Sequence, residues 1–274
     1  MFSLISGIII RIFSNSYLNV FQKLQTKNGE HASVVNFYTY LGLTIIGLII
    51  CHIPIFSIVI LHNALIMGFL GALGNYFIVK ALSYGELSTL APINSYKPIV
   101  ALIIGFLLLN EIPGLKEILG ILLIIIGTLI LGNTKIFVSK ATIYRFIALI
   151  LLGTEAVFIK KVTLLSDVNS TFLYWVITGL IFAWVFAIFS RNKLVIKKDN
   201  IKTQIYLIIM VFFMQYTTTY VFSKINVSYA LALFQLSSIV SVFLGVNVFK
   251  EKGLIRKLLA STIMLIGAVA IIIS

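Results

Sequence analysis

Long stretches without a charged side chain constrain this chain more than any other feature of its sequence. No Asp, Glu, Lys or Arg occurs between Glu30 and Lys80, and further charge-free runs cover 118–134, 168–190, 203–223, 225–249 and 258–274. A helix needs about 20 mainly apolar residues to cross a bilayer. The composition, 60% hydrophobic and 11% charged, also departs from the roughly 45–50% and 25% of soluble domains. These numbers predict an integral membrane protein and argue against a soluble enzyme or a disordered chain.

The apolar runs divide into ten predicted transmembrane helices joined by short connections, so the predicted fold class is an all-α integral membrane protein. The predicted spans, numbered 1 to 10 in chain order, are 2–22, 32–52, 59–82, 88–110, 114–132, 142–161, 169–190, 203–223, 228–249 and 255–273. An even number of spans places both termini on the same side of the membrane.

The distribution of Lys and Arg predicts which side that is. Most of the 21 basic residues belong to odd-numbered loops: Lys23, Lys27, Lys80, Lys135, Lys140, Arg145, Arg191, Lys193, Lys197, Lys198, Lys202, Lys250, Lys252, Arg256 and Lys257. The even-numbered loops hold Lys116, Lys160, Lys161 and Lys224. Basic loops stay in the cytoplasm. We therefore expect a multi-pass protein of the cell membrane, most simply a prokaryotic plasma membrane, with odd loops cytoplasmic and both termini outside.

The two halves of the chain resemble each other when one is shifted by 140 residues. Glycine and glutamate matches carry the similarity: Gly105 falls on Gly245, Glu111 on Glu251, and Gly127 on Gly267. Chance similarity between apolar segments is the alternative, although charged residues are rare here. Two domains are predicted, 1–135 and 140–274, each with five helices. An odd number of helices inverts the second repeat, and such folds place the solute site near the midplane between repeats.

The residues of predicted spans 4 and 5 resemble the half-repeat of EamA-like transporters in the drug/metabolite transporter superfamily. That pattern combines a proline within a helix, a glycine, a glutamate at the helix end and a glycine-rich next helix. Its places are occupied by Pro98, Gly105, Glu111, Gly120 and Gly127. The second copy keeps Gly245, Glu251 and Gly267 but has Ser238 at the proline position, and span 6 matches the opening helix through Gly153, Thr154 and Lys160. The resemblance implies ten helices and secondary transport of a small metabolite.

Three ionisable residues fall near the middle of predicted spans, where charges are costly and usually functional. Lys97 precedes Pro98, which kinks a helix, and Asn94 lies one turn earlier on the same face. Lys97 is interpreted as an anchor for a carboxylate or phosphate, or as the partner of Glu155 in a structural ion pair. Glu155 is interpreted as a proton-coupling site, a handle for a substrate amine, or a counter-ion. Arg11 could bind solute or extend to the outer surface.

If these three charges share one cavity, its net positive charge favours an anionic or zwitterionic, amino-acid-like solute. Uncharged polar residues recur at matching places in the two halves and complete the predicted site: Asn75, Tyr76, Asn94, Tyr96, Gln215, Tyr216 and Gln235. Polar groups in a helix bundle can also simply bond neighbouring helices.

No cofactor or metal site is predicted, because the single Cys51 and three scattered histidines form no ligand pattern. The expected partners are a small-molecule solute and the lipid bilayer, with no nucleic acid, and the protein is expected to be a monomer or homodimer. The predicted function is a secondary transporter working by alternating access. A membrane-embedded enzyme acting on lipid or peptide is the alternative. Such an enzyme would need clustered acids or a nucleophile with its base.

Overall fold

Helices form almost all of the structure, a computed structural model that describes residues 3–52, 54, 57–85, 87–112, 114–131, 139–190, 194–249, 259, 262–267 and 270. The helices are α1 (Leu4–Lys27), α2 (Ala32–Ile50), α3 (Ile58–Tyr84), α4 (Leu87–Leu90), α5 (Lys97–Leu109), α6 (Leu115–Leu131), α7 (Lys140–Leu165), α8 (Val168–Phe189), α9 (Ile201–Phe222), α10 (Val227–Phe234) and α11 (Leu236–Phe249). Short 3-10 segments cover Ala91–Tyr96 and Lys198–Asn200.

Six of these helices are long and apolar enough to cross a membrane: α1, α2, α3, α7, α8 and α9, the last together with its preceding 3-10 turn. The predicted all-α membrane fold is therefore confirmed. Predicted span 10 (255–273) lies largely outside the described residues, but its described stretch, 262–267, is helical. Glu251 of the predicted repeat also lies outside them.

Predicted span 4 differs from a single helix over 88–110, because it is broken in the middle. The chain leaves α4 after Leu90, runs through the 3-10 segment, and resumes helix at Lys97. Prolines near both ends explain the break, since Pro92 and Pro98 have no N–H to donate to an α-helical ladder. At the second proline, the Lys97 N–H bonds the Asn94 carbonyl instead, in the tighter 3-10 pattern.

Predicted span 9 is also broken, at Gln235 between α10 and α11. The backbone N–H of Gln235 donates to the Ala232 carbonyl at 3.0 Å, three residues back rather than the four of an α-helix. No proline lies at this point in the sequence, so residue type did not predict the second break. Each half of the chain thus contains one interrupted helix in its fourth predicted span.

Contacts between loops establish which helix ends lie together. Loops 1 and 7 meet where the Lys197 amide and the Asn200 side chain both donate to Glu30 Oε1, at 2.9 and 2.8 Å. At the opposite end, loops 4 and 8 meet where the Val227 amide donates to Glu111 Oε2 at 3.0 Å. We call these ends the odd-loop end and the even-loop end.

Several basic residues predicted to lie in loops belong to helices instead. Lys80 lies in α3, and Lys160 and Lys161 lie in the last turns of α7. Arg145 also lies in α7 and is 1% exposed, so it does not belong to the charged surface of loop 5. Helix α7 is longer than its apolar run because polar residues near both of its ends, Thr142, Arg145, Lys160 and Thr163, are buried in the bundle.

Helix α8 begins at the even-loop end with a capping aspartate. Asp167 accepts hydrogen bonds from the Asn169 and Ser170 amides, at 2.8 and 3.1 Å, and from Ser170 Oγ. Partial burial raises the pKa of the Asp167 carboxyl, but these hydrogen bonds outweigh it, so the pKa lies below its ordinary value. The cap satisfies amides that have no partner within the helix.

Candidate functional site

A polar cavity lies at the centre of the bundle, where both broken helices are interrupted. Its lining includes Arg11 from α1, Lys97 from α5 and Glu155 from α7. The centre of a water molecule can occupy about 70 Å³ of it, which is room for about five to seven waters. The cavity therefore suits a small polar solute.

The structure brings most of the predicted site residues to this one cavity, from both halves of the chain. Predicted residues that line it are Arg11, Asn75, Asn94, Lys97, Glu155, Gln215 and Gln235. The three predicted tyrosines lie elsewhere. Tyr96 packs on Phe146 with ring centres 6.3 Å apart. Tyr76 accepts from Lys80 Nζ at 3.2 Å, and Tyr216 donates to Asn169 Oδ1 at 2.7 Å.

Arg11 is held beside the cavity rather than extended to the surface. Its side chain is 7% exposed, its Nε donates to Thr218 Oγ1 at 2.5 Å, and its guanidinium lies 4.8 Å from the centre of the Phe234 ring. Its Nη1 atom is buried without a hydrogen-bond partner among the residues described. An unpaired guanidinium donor in an apolar setting is costly, and a solute carboxylate would satisfy it.

Glu155 is oriented by an aromatic neighbour. Trp175 Nε1 donates to Glu155 Oε1 at 2.6 Å, and Trp175 is 1% exposed. No ion pair within 4.0 Å joins Glu155 to Lys97 or Arg11 in the part of the chain that the structure describes. The acid and the two cations therefore face one cavity and influence one another electrostatically, yet they are separated enough to leave space between them.

Lys97 occupies the first turn of α5, directly after the 3-10 segment. Its half-buried side chain lines the cavity and makes no hydrogen bond with any other described residue. A lysine without a partner at a helix break is available to bind an anionic group. The same break carries Asn94, whose amide lines the cavity one turn earlier.

Several cavity residues were missed by the sequence analysis. Asn15, Asn19, Gln22, Trp175 and Thr218 all line the cavity. The three from α1 recur every three to four residues and so share one face of that helix, a signal that could have been read. Trp175 could not be found this way, because nothing in its local sequence indicates a contact with Glu155.

Small residues make the close approach around Glu155 possible. A Cβ atom on Gly71 of α3 would collide with Glu155 Oε1 and would lie 3.2 Å from Trp175 Nε1. Glycine at this position therefore allows α3, α7 and α8 to pack around the buried acid. The ring of Tyr40 packs at a tilt against that of Trp175, with ring centres 4.9 Å apart. Its hydroxyl accepts a hydrogen bond from Asn75 Nδ2 at 3.0 Å and completes this polar cluster.

Replacing Gly71 with alanine is expected to displace the Glu155 carboxylate and break its bond from Trp175. Overpacking of this kind costs about 1–3 kcal/mol, so the thermal midpoint should fall and the Trp175 emission should shift. Gly105→Ala is the matched control, because its added Cβ would meet only Glu111 Oε2 at an ordinary 3.4 Å. Equal behaviour of the two variants in a thermal melt with fluorescence detection would contradict the role given to Gly71.

An ion pair lies at the even-loop end of the bundle. Lys160 Nζ lies 2.7 Å from Glu111 Oε1, with the two side chains 11% and 10% exposed. Lys160 also donates to the Ile225 carbonyl at 2.9 Å, and Glu111 accepts from the Val227 amide. These contacts join the end of α5 to the end of α7 and the start of α10. We call this set the even-end lock.

Toward the odd-loop end, neutral hydrogen bonds join α1, α2 and α9. Gln25 Nε2 donates to Gln204 Oε1 at 2.9 Å, and Gln204 Nε2 donates to Thr39 Oγ1 at 2.9 Å. All three residues are buried.

Among the described residues, no group of three or more His, Cys, Asp and Glu side chains could hold a metal ion.

Comparison with known proteins identifies the family. A solved structure described as "Crystal structure of protein" superposes with a TM-score of 0.73 at 13% identity, covering 98% of both chains, and so shows the same fold. A comparison with curated proteins gives no match. The sequence pattern of the EamA-like transporter family matches residues 2–133 and again 139–273. Nearly the whole chain is covered, so this multi-pass helical membrane protein belongs to the EamA-like transporter family of the drug/metabolite transporter superfamily.

Proposed function

We propose that the chain is a secondary transporter that carries a small anionic or zwitterionic, amino-acid-like solute by alternating access. The observation that carries this proposal is the central cavity, in which Arg11, Lys97 and Glu155 face one another without a direct ion pair. A carboxylate on the solute would bind the two cations. An amine on the solute, where present, would bind Glu155.

The proposed movement is based on the two helix breaks and on the contacts at the even-loop and odd-loop ends of the bundle. The repeats, 1–135 and 140–274, each contribute one interrupted helix to the cavity. Transporters built from inverted repeats place their sites at such interruptions and rock one repeat against the other. Opening toward the even-loop side requires the even-end lock to separate, whereas opening toward the odd-loop side requires the Gln25–Gln204–Thr39 bonds to separate.

The proposed orientation in the cell membrane keeps odd loops cytoplasmic and both termini outside. Loops 1 and 7 lie at one end of the bundle with basic residues that include Lys27 and Lys197. This basic end suits the cytoplasmic side. A reporter enzyme that is active only outside the cytoplasm, fused to the C-terminus, would test the orientation.

Transport by purified protein in sealed liposomes tests the function directly. Labelled alanine, glutamate and putrescine represent zwitterionic, anionic and cationic solutes, and exchange against the same unlabelled solute inside needs no coupling ion. We expect exchange of alanine or glutamate but not of putrescine. Exchange of putrescine alone would contradict the proposed charge preference, and turnover of a lipid or peptide in detergent would favour an enzyme.

Glu155→Gln tests whether this acid couples transport to protons. Glutamine keeps an oxygen that can accept from Trp175 but cannot lose or gain a proton. We expect solute exchange to persist while an imposed pH gradient no longer drives accumulation. Accumulation that still follows the pH gradient in the variant would show that Glu155 is not the coupling group.

A further inference from the structure

Arg145 is a second buried cation near the first helix break, outside the lining of the cavity. It lies in the second turn of α7, is 1% exposed, and donates from Nε to the Leu90 carbonyl at 3.2 Å. Its Nη1 atom is buried and has no hydrogen-bond partner in the described part of the chain. No acid forms an ion pair with it among the residues that the structure describes. Its bond reaches the last residue of α4, where the 3-10 segment begins.

At the break in the other helix, two neutral side chains of α1 bond Ser237. Ser16 Oγ of α1 donates to the Ser237 carbonyl at 2.8 Å, and Asn15 Nδ2 donates to Ser237 Oγ at 2.9 Å. The first helix of each half thus holds the break in the other half. A hydroxyl or an amide is enough to hold a free carbonyl, so the hydrogen bond from Arg145 does not explain why an arginine is present.

A charge at this position is expensive, which indicates that the charge itself is used. A buried guanidinium donor without a partner costs about 1–3 kcal/mol or more, whereas a neutral donor would hold Leu90 at less cost. Phe146 follows Arg145 in the sequence and packs on Tyr96, which immediately precedes Lys97 in the sequence. The charges of Arg145 and Arg11 both act on Lys97.

We propose that Arg145 is a charge-selectivity residue that makes the solute site prefer a net negative solute over a zwitterion. Arg145 then adds a third positive charge beside the cavity to those of Arg11 and Lys97, which face the acid Glu155 inside it. Acidic amino acids and dicarboxylates are the solute class that neutralises this charge. The proposal rests on the proposed transport function, but the field of Arg145 can be measured without transport.

Quenching of Trp175 fluorescence measures this field, because Trp175 lines the cavity. Trp184→Phe removes the second of the two tryptophans, which is half exposed on α8. Iodide reports the attraction of an anion into the cavity, and neutral acrylamide reports access alone. Arg145→Gln keeps a donor for Leu90 and removes the charge, whereas Arg145→Lys keeps the charge. Lys161→Met is the control for loss of a positive charge elsewhere on α7.

We expect the ratio of iodide to acrylamide quenching to fall about threefold or more in Arg145→Gln and to stay near the parent value in Arg145→Lys and Lys161→Met. An unchanged ratio in Arg145→Gln, or no iodide quenching in the parent, overturns the proposal. Glutamate and its near-isosteric amide glutamine provide the second readout, by thermal stabilisation of the protein. Glutamate should stabilise the parent more than glutamine, and Arg145→Gln should remove the difference.

The two proposals can fail separately. If the quenching ratio falls as expected but liposomes exchange no solute, the field of Arg145 is established and the transport proposal fails. If liposomes exchange glutamine as well as glutamate and the quenching ratio does not respond to Arg145, transport holds and the selectivity proposal fails.

Discussion

Lys97→Met is expected to reduce the exchange of an anionic or zwitterionic solute by about tenfold to a hundredfold, because hydrogen bonds to charged groups contribute about 1.5–3 kcal/mol. Methionine keeps the length and the apolar stem of lysine but removes the ammonium group. Since Lys97 has no described partner, its removal leaves no buried group unpaired, and the protein should fold with little change in thermal midpoint. Initial rates in liposomes over a range of solute concentrations measure the effect.

Two further variants make this result specific to the site. Lys97→Arg retains the charge at the helix break and should keep part of the activity. Lys161→Met removes a positive charge from the surface end of α7, where Lys161 lies over the Phe158 ring at 6.0 Å, and should leave exchange unchanged. Full activity of Lys97→Met at low solute concentration would remove Lys97 from the proposed site.

Glu111→Lys is expected to have the second large effect, because it replaces the ion pair of the even-end lock by two like charges. Breaking one partner of a buried pair costs about 3–5 kcal/mol, which corresponds to a fall of roughly 10 °C in thermal midpoint. The reversed pair, Glu111→Lys with Lys160→Glu, restores the attraction. It does not restore the bonds to the Val227 amide and the Ile225 carbonyl, so recovery should be partial.

A milder variant separates opening of the lock from loss of stability. Glu111→Gln can still accept from the Val227 amide but weakens the attraction to Lys160. In a Cys51→Ser background, Ile159→Cys places a thiol at a position that lines the cavity, next in sequence to Lys160. This thiol should react faster with a membrane-impermeant reagent added at the even-loop side when Glu111→Gln is also present than when Glu111 is kept. Equal labelling with and without Glu111→Gln would show that the ion pair does not control access from that side.

The breaks in the fourth span of each half show how far sequence reasoning could reach. Pro98 correctly indicated an irregular helix at Lys97, because the missing N–H of proline acts locally. The break at Gln235 has no such residue, and it is stabilised by Ser16 of α1, more than two hundred positions away in the chain. Tyr76 and Tyr216 occupy equivalent positions in the two halves, yet Tyr76 bonds Lys80 on its own helix and Tyr216 bonds Asn169 of α8. Symmetry in sequence did not place them at the cavity.

The sequence by itself determined that this chain is a helical membrane protein, since apolar runs of this length can be accommodated only in a bilayer. It also singled out Arg11, Lys97 and Glu155, because a charge within a span is costly wherever the helix is packed. Only the tertiary structure decided what those charges face. The burial of Arg145, the bond from Trp175 to Glu155 and the pairing of Glu111 with Lys160 all depend on contacts between helices distant in sequence. Periodicity within one helix carries no information about which neighbour it meets.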